Sequence, residues 1–174
     1  SNYRGMGTGL VPDGLGFMLQ NRGELFSLDE THPNVYAPGK RPFHTIIPAF
    51  VMKDGEPFMS FGLMGGAMQP QGHVQVLVNI IDLGMDVQTA GDAARFNHDG
   101  GRQPTGVDED LLGKLLLEPG VPAKTVEQLR AMGHRVEVDG TGAPFGGYQA
   151  IMRLPSGVYV GATEMRKDGT VAAW

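Results

Sequence analysis

An α+β fold is predicted by three observations: dense backbone punctuation, paired apolar runs around turn dipeptides, and helical periodicity flanked on both sides by strand-like segments. The 174 residues include 27 glycines and 12 prolines, and Gly alone runs at about twice its usual ~7%. Such a chain cannot be mostly long helix. Strands, then two adjacent helices, then further strands imply a mixed sheet with helices packed on its face.

The elements follow in order. Thr8–Val11 and Leu15–Leu19 flank Pro12-Asp13-Gly14, a turn tripeptide, and predict a β-hairpin. Ser27–Pro42 carries three prolines and no periodicity, so it reads as a functional or interfacial loop. Thr45–Met52 and Pro57–Leu63 surround Lys53-Asp54-Gly55-Glu56, where Asp-Gly is a strong hairpin signal. Both runs are apolar at nearly every position, which predicts a hairpin covered on both faces. From about Gln69 the pattern becomes a buried helix through His73, Val74, Leu77, Val78 and Ile81, ending before Gly84. Asp86 suits the N-cap of a second helix, Val87–Ala94. A third, about Ala123–Met132, follows Pro122 and stops at Gly133. Lys114–Glu118, Arg135–Val138, Gln149–Leu154 and Val158–Ala162 are strand-like, the last two joined by Pro155-Ser156-Gly157.

Composition narrows the function classes. With 41% hydrophobic residues, 19% charged and a net charge of -5, the chain lies outside the disordered regime. On roughly 100–200 residues per domain, residues 1–174 read as a single domain. There is no Cys, which excludes disulfides, thiolate metal sites and a cysteine nucleophile. No apolar run approaches the ~18–20 residues of a membrane span, so a soluble protein without a membrane partner is expected, with cytoplasm and periplasm both open. Fourteen basic against 19 acidic residues leave no basic stripe for nucleic acid. His32, His44, His73, His98 and His134 lack metal-binding spacing, and Asn97-His98-Asp99 reads as a loop cluster, so no metal or cofactor is expected. Gly5-Met6-Gly7-Thr8-Gly9 lacks the Lys-Ser/Thr of a phosphate-binding loop and reads as a bend. Ser1-Asn2-Tyr3-Arg4-Gly5 has no initiator Met and no targeting pattern, and reads as a cut end.

Two segments could carry chemistry. Ser60–Ala67 runs from a strand through Gly65-Gly66 into a helix, and the first N–H groups of a helix lack intrahelical partners. Spacing alone leaves two readings open, a tight strand-to-helix turn or a pair of donors forming an oxyanion hole. Pro38–Thr45 places Lys40, Arg41, His44 and Thr45 at the mouth of a strand, where they could form a solvated basic loop or hold a carboxylate. Arg22, after the hairpin, is a similar candidate.

Six ordered blocks now align with one family. They are Gly7-Thr8-Gly9 with Gly16-Phe17-Met18-Leu19-Gln20-Asn21; Pro38-Gly39-Lys40-Arg41-Pro42; Gly65-Gly66; Asp92-Ala93-Ala94-Arg95-Phe96-Asn97-His98; Gly161-Ala162; and Arg166-Lys167-Asp168-Gly169. Over essentially its whole length the chain resembles the C-terminal small-subunit region of the gamma-glutamyltransferase (gamma-glutamyltranspeptidase) family, acylase- and amidohydrolase-like members in particular. The resemblance implies an N-terminal-nucleophile hydrolase fold, an αββα sandwich of two sheets between helix layers, of which this chain would be the incomplete small-subunit portion. It also implies a precursor that cuts itself to expose a Thr, whose hydroxyl attacks a gamma-glutamyl or related amide while its α-amine serves as base. Gly65 and Gly66 fall on the family's oxyanion pair, and Arg22, His44, Thr45 and Asn2 on or beside acyl-pocket positions.

The departures refine the expectation. The family's nucleophilic Thr lies upstream of the glycine-rich segment, so the chain alone is expected to be inactive and to need the upstream segment and the large subunit as partners. Ser1 does not occupy that position. His44 replaces the second hydroxyl expected beside Thr45. Where transpeptidases bind the glutamyl α-amine, this chain has Arg22-Gly23-Glu24-Leu25, with Leu25 at the usual acid. An Arg there repels an ammonium and attracts an anion. Three readings therefore stay open: gamma-glutamyl cleavage or transfer through an acyl-enzyme, hydrolysis of a dicarboxylic half-amide, and a catalytically silent binding or assembly module.

Overall fold

The computed structural model describes residues 2–101, 103–107 and 112–174; Ser1 lies outside them. The chain divides into two compact units, Ser1–Ile46 with Gly100–Leu112, and Ile47–Asp99 with Gly113–Trp174. Among the described residues no helix is long and apolar enough to cross a membrane.

In the first unit the expected hairpin is reduced to its backbone bonds. Thr8 N–H donates to Leu19 O at 2.9 Å, Leu19 N–H to Leu10 O at 3.0 Å, and Leu15 N–H closes the turn on Pro12 O at 3.1 Å. No regular strand forms there, because Gly7, Gly9, Gly14 and Gly16 all take positive φ and interrupt the ladder. Asn21 ties this end of the chain down, accepting from the Tyr3 and Arg4 N–H groups at 3.0 and 3.2 Å. A 3-10 turn, Arg22–Leu25, follows. The loop after it closes on itself through a Ser27↔Val35 bridge, and Asn34 Nδ2 donates to Leu25 O at 2.6 Å.

The second unit holds the regular elements. They are β1 (Ala49–Lys53), β2 (Glu56–Met64), α1 (Met68–Ile81), α2 (Val87–Asp92), β3 (Phe96–Asp99), β4 (Lys114–Leu117), α3 (Ala123–Ala131), β5 (Val136–Val138), β6 (Gly147–Arg153) and β7 (Tyr159–Thr163). The strands make two sheets. One is antiparallel throughout in the order β1-β2-β6-β7; the other, β3-β4-β5, is mixed, with β3 antiparallel and β5 parallel to β4. β1 starts at Ala49 rather than Thr45, since Pro48 has no N–H for the ladder. Asp54 and Gly55 turn the chain with φ of 53° and 82°, the paired positive values of a tight two-residue hairpin turn. Asp86 caps α2 as expected, accepting from the Gln88 and Thr89 N–H groups, both at 2.9 Å. Asn97-His98-Asp99 is not a loop cluster but the body of β3, paired with Lys114–Leu116.

The core lies between the four-stranded sheet and the helices α1 and α2. Met59, Phe61 and Leu63 from β2, Met68 and Val76 from α1, Val87 from α2, and Tyr148 and Ala150 from β6 are buried together. Each large member contributes about 1.5–3 kcal/mol. Close approach needs glycine at two places: a Cβ on Gly72 would stand 2.5 Å from Leu63 Cδ1, and one on Gly91 would collide with the Tyr148 ring. A smaller core joins α3 to the mixed sheet through Leu117, Val126 and Val136. The β1–β2 hairpin is covered on one face only, contrary to the expectation for its apolar sequence. Phe50, Met52, Ile151 and Tyr159 on the other face are each more than half exposed, as are Val74 and Ile81 of α1.

Candidate active site

Gly65 and Gly66 close β2 and lead into α1. Their φ values are 143° and 60°, and both residues are exposed. The chain wraps so that Met68 N–H donates to Gly65 O and Gln69 N–H to Gly66 O, both at 3.1 Å. Among the described residues neither glycine's own N–H has an acceptor. Ala67 at the N-cap offers no side-chain acceptor, and the first turn of α1 has no acidic residue. The positive end of the helix is therefore neither capped nor neutralised from within its own first turn, and it leaves donors for an anion.

The first unit brings two of the other predicted residues together. Arg22 Nε donates to Thr45 Oγ1 at 3.1 Å across 23 positions of sequence. Among the described residues the two terminal nitrogens of Arg22 have no acceptor. His44 is exposed and stacks on Phe43, ring centroids 6.0 Å apart. Asn2 is exposed, its Oδ1 3.0 Å from the place a Cβ on Gly7 would occupy. Leu25 is buried, while the neighbouring Glu24 pairs with Arg4 at 3.3 Å.

Sequence reasoning missed an ionic cluster in the second unit. Arg95 is buried, with Nη1 on Glu164 Oε2 at 2.8 Å and on Phe145 O at 2.8 Å, and Nη2 on Gly91 O at 2.6 Å. Its Nε is buried without a partner among the described residues. Arg166 bridges Glu164 Oε1 at 2.7 Å and Glu118 Oε2 at 2.6 Å, and also takes the carbonyls of Gly91 and Ala93. Two cations and two carboxylates thus balance, and the arginines satisfy the last carbonyls of α2, where positive charge is favoured. Burial pushes the Glu164 carboxyl up, but bonds from Arg166, the Tyr148 N–H and Arg95 outweigh it and hold it below its ordinary range. Burial likewise pulls Arg95 down, against the attraction of Glu164. Only half of the signal for this cluster was present: Arg95 and Arg166 lie in the family blocks Asp92–His98 and Arg166–Gly169, whereas Glu118 and Glu164 lie in none.

His73 is a second omission. Leu63 lies past the last β1 pairing, and its N–H donates to His73 Nε2 at 3.2 Å. An Nε2 that accepts is unprotonated, in keeping with the burial that lowers the His73 pKa.

The gamma-glutamyltranspeptidase family model matches residues 1–174. The chain belongs to this family. It is 37% identical over 170 residues to a glutathione hydrolase-like YwrD proenzyme of Bacillus subtilis, covering 97% of the chain and 31% of that protein. It is 36% identical over 183 residues to an oxamate amidohydrolase proenzyme of Klebsiella pneumoniae, covering all of the chain and 32% of that protein. The structure of a cephalosporin acylase from Bacillus halodurans superimposes with a TM-score of 0.87 at 44% identity, over 100% of this chain and 31% of that one. The chain therefore spans about a third of the length of the curated relatives it matches. As a gamma-glutamyltranspeptidase-family chain it has the N-terminal-nucleophile hydrolase fold, here one helix-covered sheet and a smaller mixed sheet.

Proposed function

We propose that residues 1–174 form an incomplete small-subunit region of an amide-cleaving enzyme, supplying the oxyanion hole and part of the acyl pocket. The observation that carries this reading is the Gly65 and Gly66 N–H pair, without acceptors among the described residues, at a helix start with no side-chain cap in a chain of this family. In this reading a Thr upstream of the glycine-rich segment is the nucleophile, and the large subunit of the same precursor completes the pocket. The Thr oxygen bonds to the amide carbonyl carbon and its proton passes to the α-amine. The carbonyl oxygen becomes an oxyanion facing Gly65 and Gly66. Collapse breaks the C–N bond, the amine leaves with that proton, and water or an acceptor amine resolves the acyl-enzyme. One such donor is worth about 2.7–4 kcal/mol to the transition state. In this reading residues 1–174 act only together with that upstream Thr.

Arg22, with Thr45 as its hydrogen-bond partner and His44 and Asn2 in the same unit, binds an acyl-group carboxylate. A cation at this position favours a dicarboxylic half-amide over the ammonium-bearing gamma-glutamyl group. The Klebsiella relative named as an oxamate amidohydrolase supports that choice.

The test is a crystal structure of the complete proenzyme product carrying a covalent acyl adduct. The adduct oxygen is expected within about 2.7–3.1 Å of both the Gly65 and Gly66 nitrogens. An oxygen bound elsewhere, with both amides facing solvent, defeats the reading.

A further inference from the structure

We infer that the buried Arg95–Glu164 pair positions the Gly65 donor through the Phe145–Tyr148 segment, an inference that rests on Gly65 and Gly66 being the oxyanion donors. Gly65 is backed by main chain: a Cβ there would stand 3.0 Å from Gly146 Cα and 3.6 Å from Gly146 N. Gly146, at φ 76°, has no more room, since a Cβ on it would collide with Met64 O and with Leu63 Cδ2. Two glycine backbones thus meet directly, and any shift of Gly146 is transmitted to Gly65.

Gly146 is held from both sides by one ion pair. Arg95 Nη1 donates to the carbonyl of Phe145, the residue before it, at 2.8 Å, and to Glu164 Oε2, also at 2.8 Å. The same Glu164 oxygen accepts the N–H of Tyr148, two residues after it, at 2.7 Å. Phe145 and Tyr148 are fully buried, so the clamp works inside the core. The second pair steadies the first: Glu118 Oε2 accepts the Arg95 N–H at 2.7 Å, and Arg166 Nη1 donates to Glu164 Oε1 at 2.7 Å. A buried polar network with nearly all its partners in place has one arrangement and is rigid. Oxyanion donors need such rigidity, because a misplacement of about 1 Å can cost about 100-fold in rate. Neither Arg95 nor Glu164 is a catalytic residue here; both act through Gly146.

The experiment uses the complete precursor, made as two co-expressed segments so that activity does not depend on self-cleavage. The variants are Glu164→Gln and the charge-neutral double Arg95→Met/Glu164→Gln, the latter for the case that a lone buried Arg95 prevents folding. Val126→Ala in the α3 core is the control for stability loss alone. With glutathione and oxamate as probes, kcat is expected to fall about 10- to 100-fold while KM changes less than about threefold. Hydrogen exchange should rise in both 63–68 and 143–148. Val126→Ala should lower Tm while keeping kcat within about twofold. If the Glu164 variants lower Tm as Val126→Ala does and leave kcat unaltered, the pair is structural only and the inference is overturned. The acyl-adduct structure separates the two failures: an oxygen bound away from Gly65 and Gly66 removes the reading and the inference together, whereas an oxygen bound on both amides with unaltered kcat removes the inference alone.

Discussion

Arg22 carries the specificity argument at the scale of single residues. Its Nε is committed to Thr45 Oγ1 at 3.1 Å, which fixes the plane of the guanidinium and leaves the terminal nitrogens to meet a ligand. An Arg fork of this kind reads a carboxylate, and a charge-assisted contact is roughly twice as strong as a neutral one. Arg22→Gln in the complete enzyme keeps a donor but removes the charge. We expect kcat/KM for an anionic half-amide such as oxamate to fall about 10- to 100-fold, or about 1.4–2.8 kcal/mol, while a neutral amide changes less than about threefold. Steady-state kinetics on the two substrates decides it, and an equal loss on both would remove the anion-binding role.

At the scale of elements, β3 is held in an unusual way. One edge pairs with β4; along the other, two glutamines of α1, one helical turn apart, hydrogen-bond two alternate residues of the strand. Gln75 Oε1 accepts from Phe96 N–H and its Nε2 donates to Phe96 O, both at 2.9 Å; Gln71 repeats the pattern on His98 at 2.8 and 3.0 Å. The helix thereby stands in for a neighbouring strand and covers an exposed edge. Replacing both by Ala should cost about 2–4 kcal/mol, from four net hydrogen bonds of about 0.5–1.5 kcal/mol each with partial replacement by water. Hydrogen exchange should rise at Phe96 and His98 and stay unchanged in β6. No change at β3 would mean that water substitutes fully. The same contacts explain why this strand was illegible in sequence. Phe96-Asn97-His98-Asp99 has no apolar alternation, and its strand form depends on partners about 20 residues before and after it. Where the signal was local it was readable: Asp54-Gly55 at a hairpin, Asp86 at a cap, Pro122 and Gly133 bounding α3. Gly65-Gly66 belonged to that class too, as the turn between β2 and α1; its role as a donor pair is a proposal that came from the resemblance of the family blocks. The ionic cluster did not, because Arg95, Glu118, Glu164 and Arg166 meet only in the folded chain.

For the molecule as a whole, two groups packed into the second unit, His73 and Glu164, add to the pH dependence of stability, and each is expected to give a step. His73 is neutral in the fold, accepting the Leu63 N–H, and burial lowers its pKa from the ordinary 6.5. The unfolded chain therefore takes up a proton first as pH falls. The His73 contribution is complete above about 6.5, declines below it, and is spent once the folded pKa is passed. Glu164 gives the second step. Its folded pKa lies below the ordinary 4.5, so its contribution is complete above that value and is lost as pH falls through the folded pKa. This step is the steeper in consequence, since protonating Glu164 leaves Arg95 buried with its ion pair broken, a change that costs about 3–5 kcal/mol in comparable sites. Thermal unfolding from pH 8 to 3 should show a shallow fall of Tm beginning near 6.5 and a sharp one below 4.5. His73→Gln should erase the first and leave the second; Arg95→Met/Glu164→Gln should blunt the second and leave the first. A single transition in which neither variant changes the profile would show that stability is governed by groups outside these two contacts.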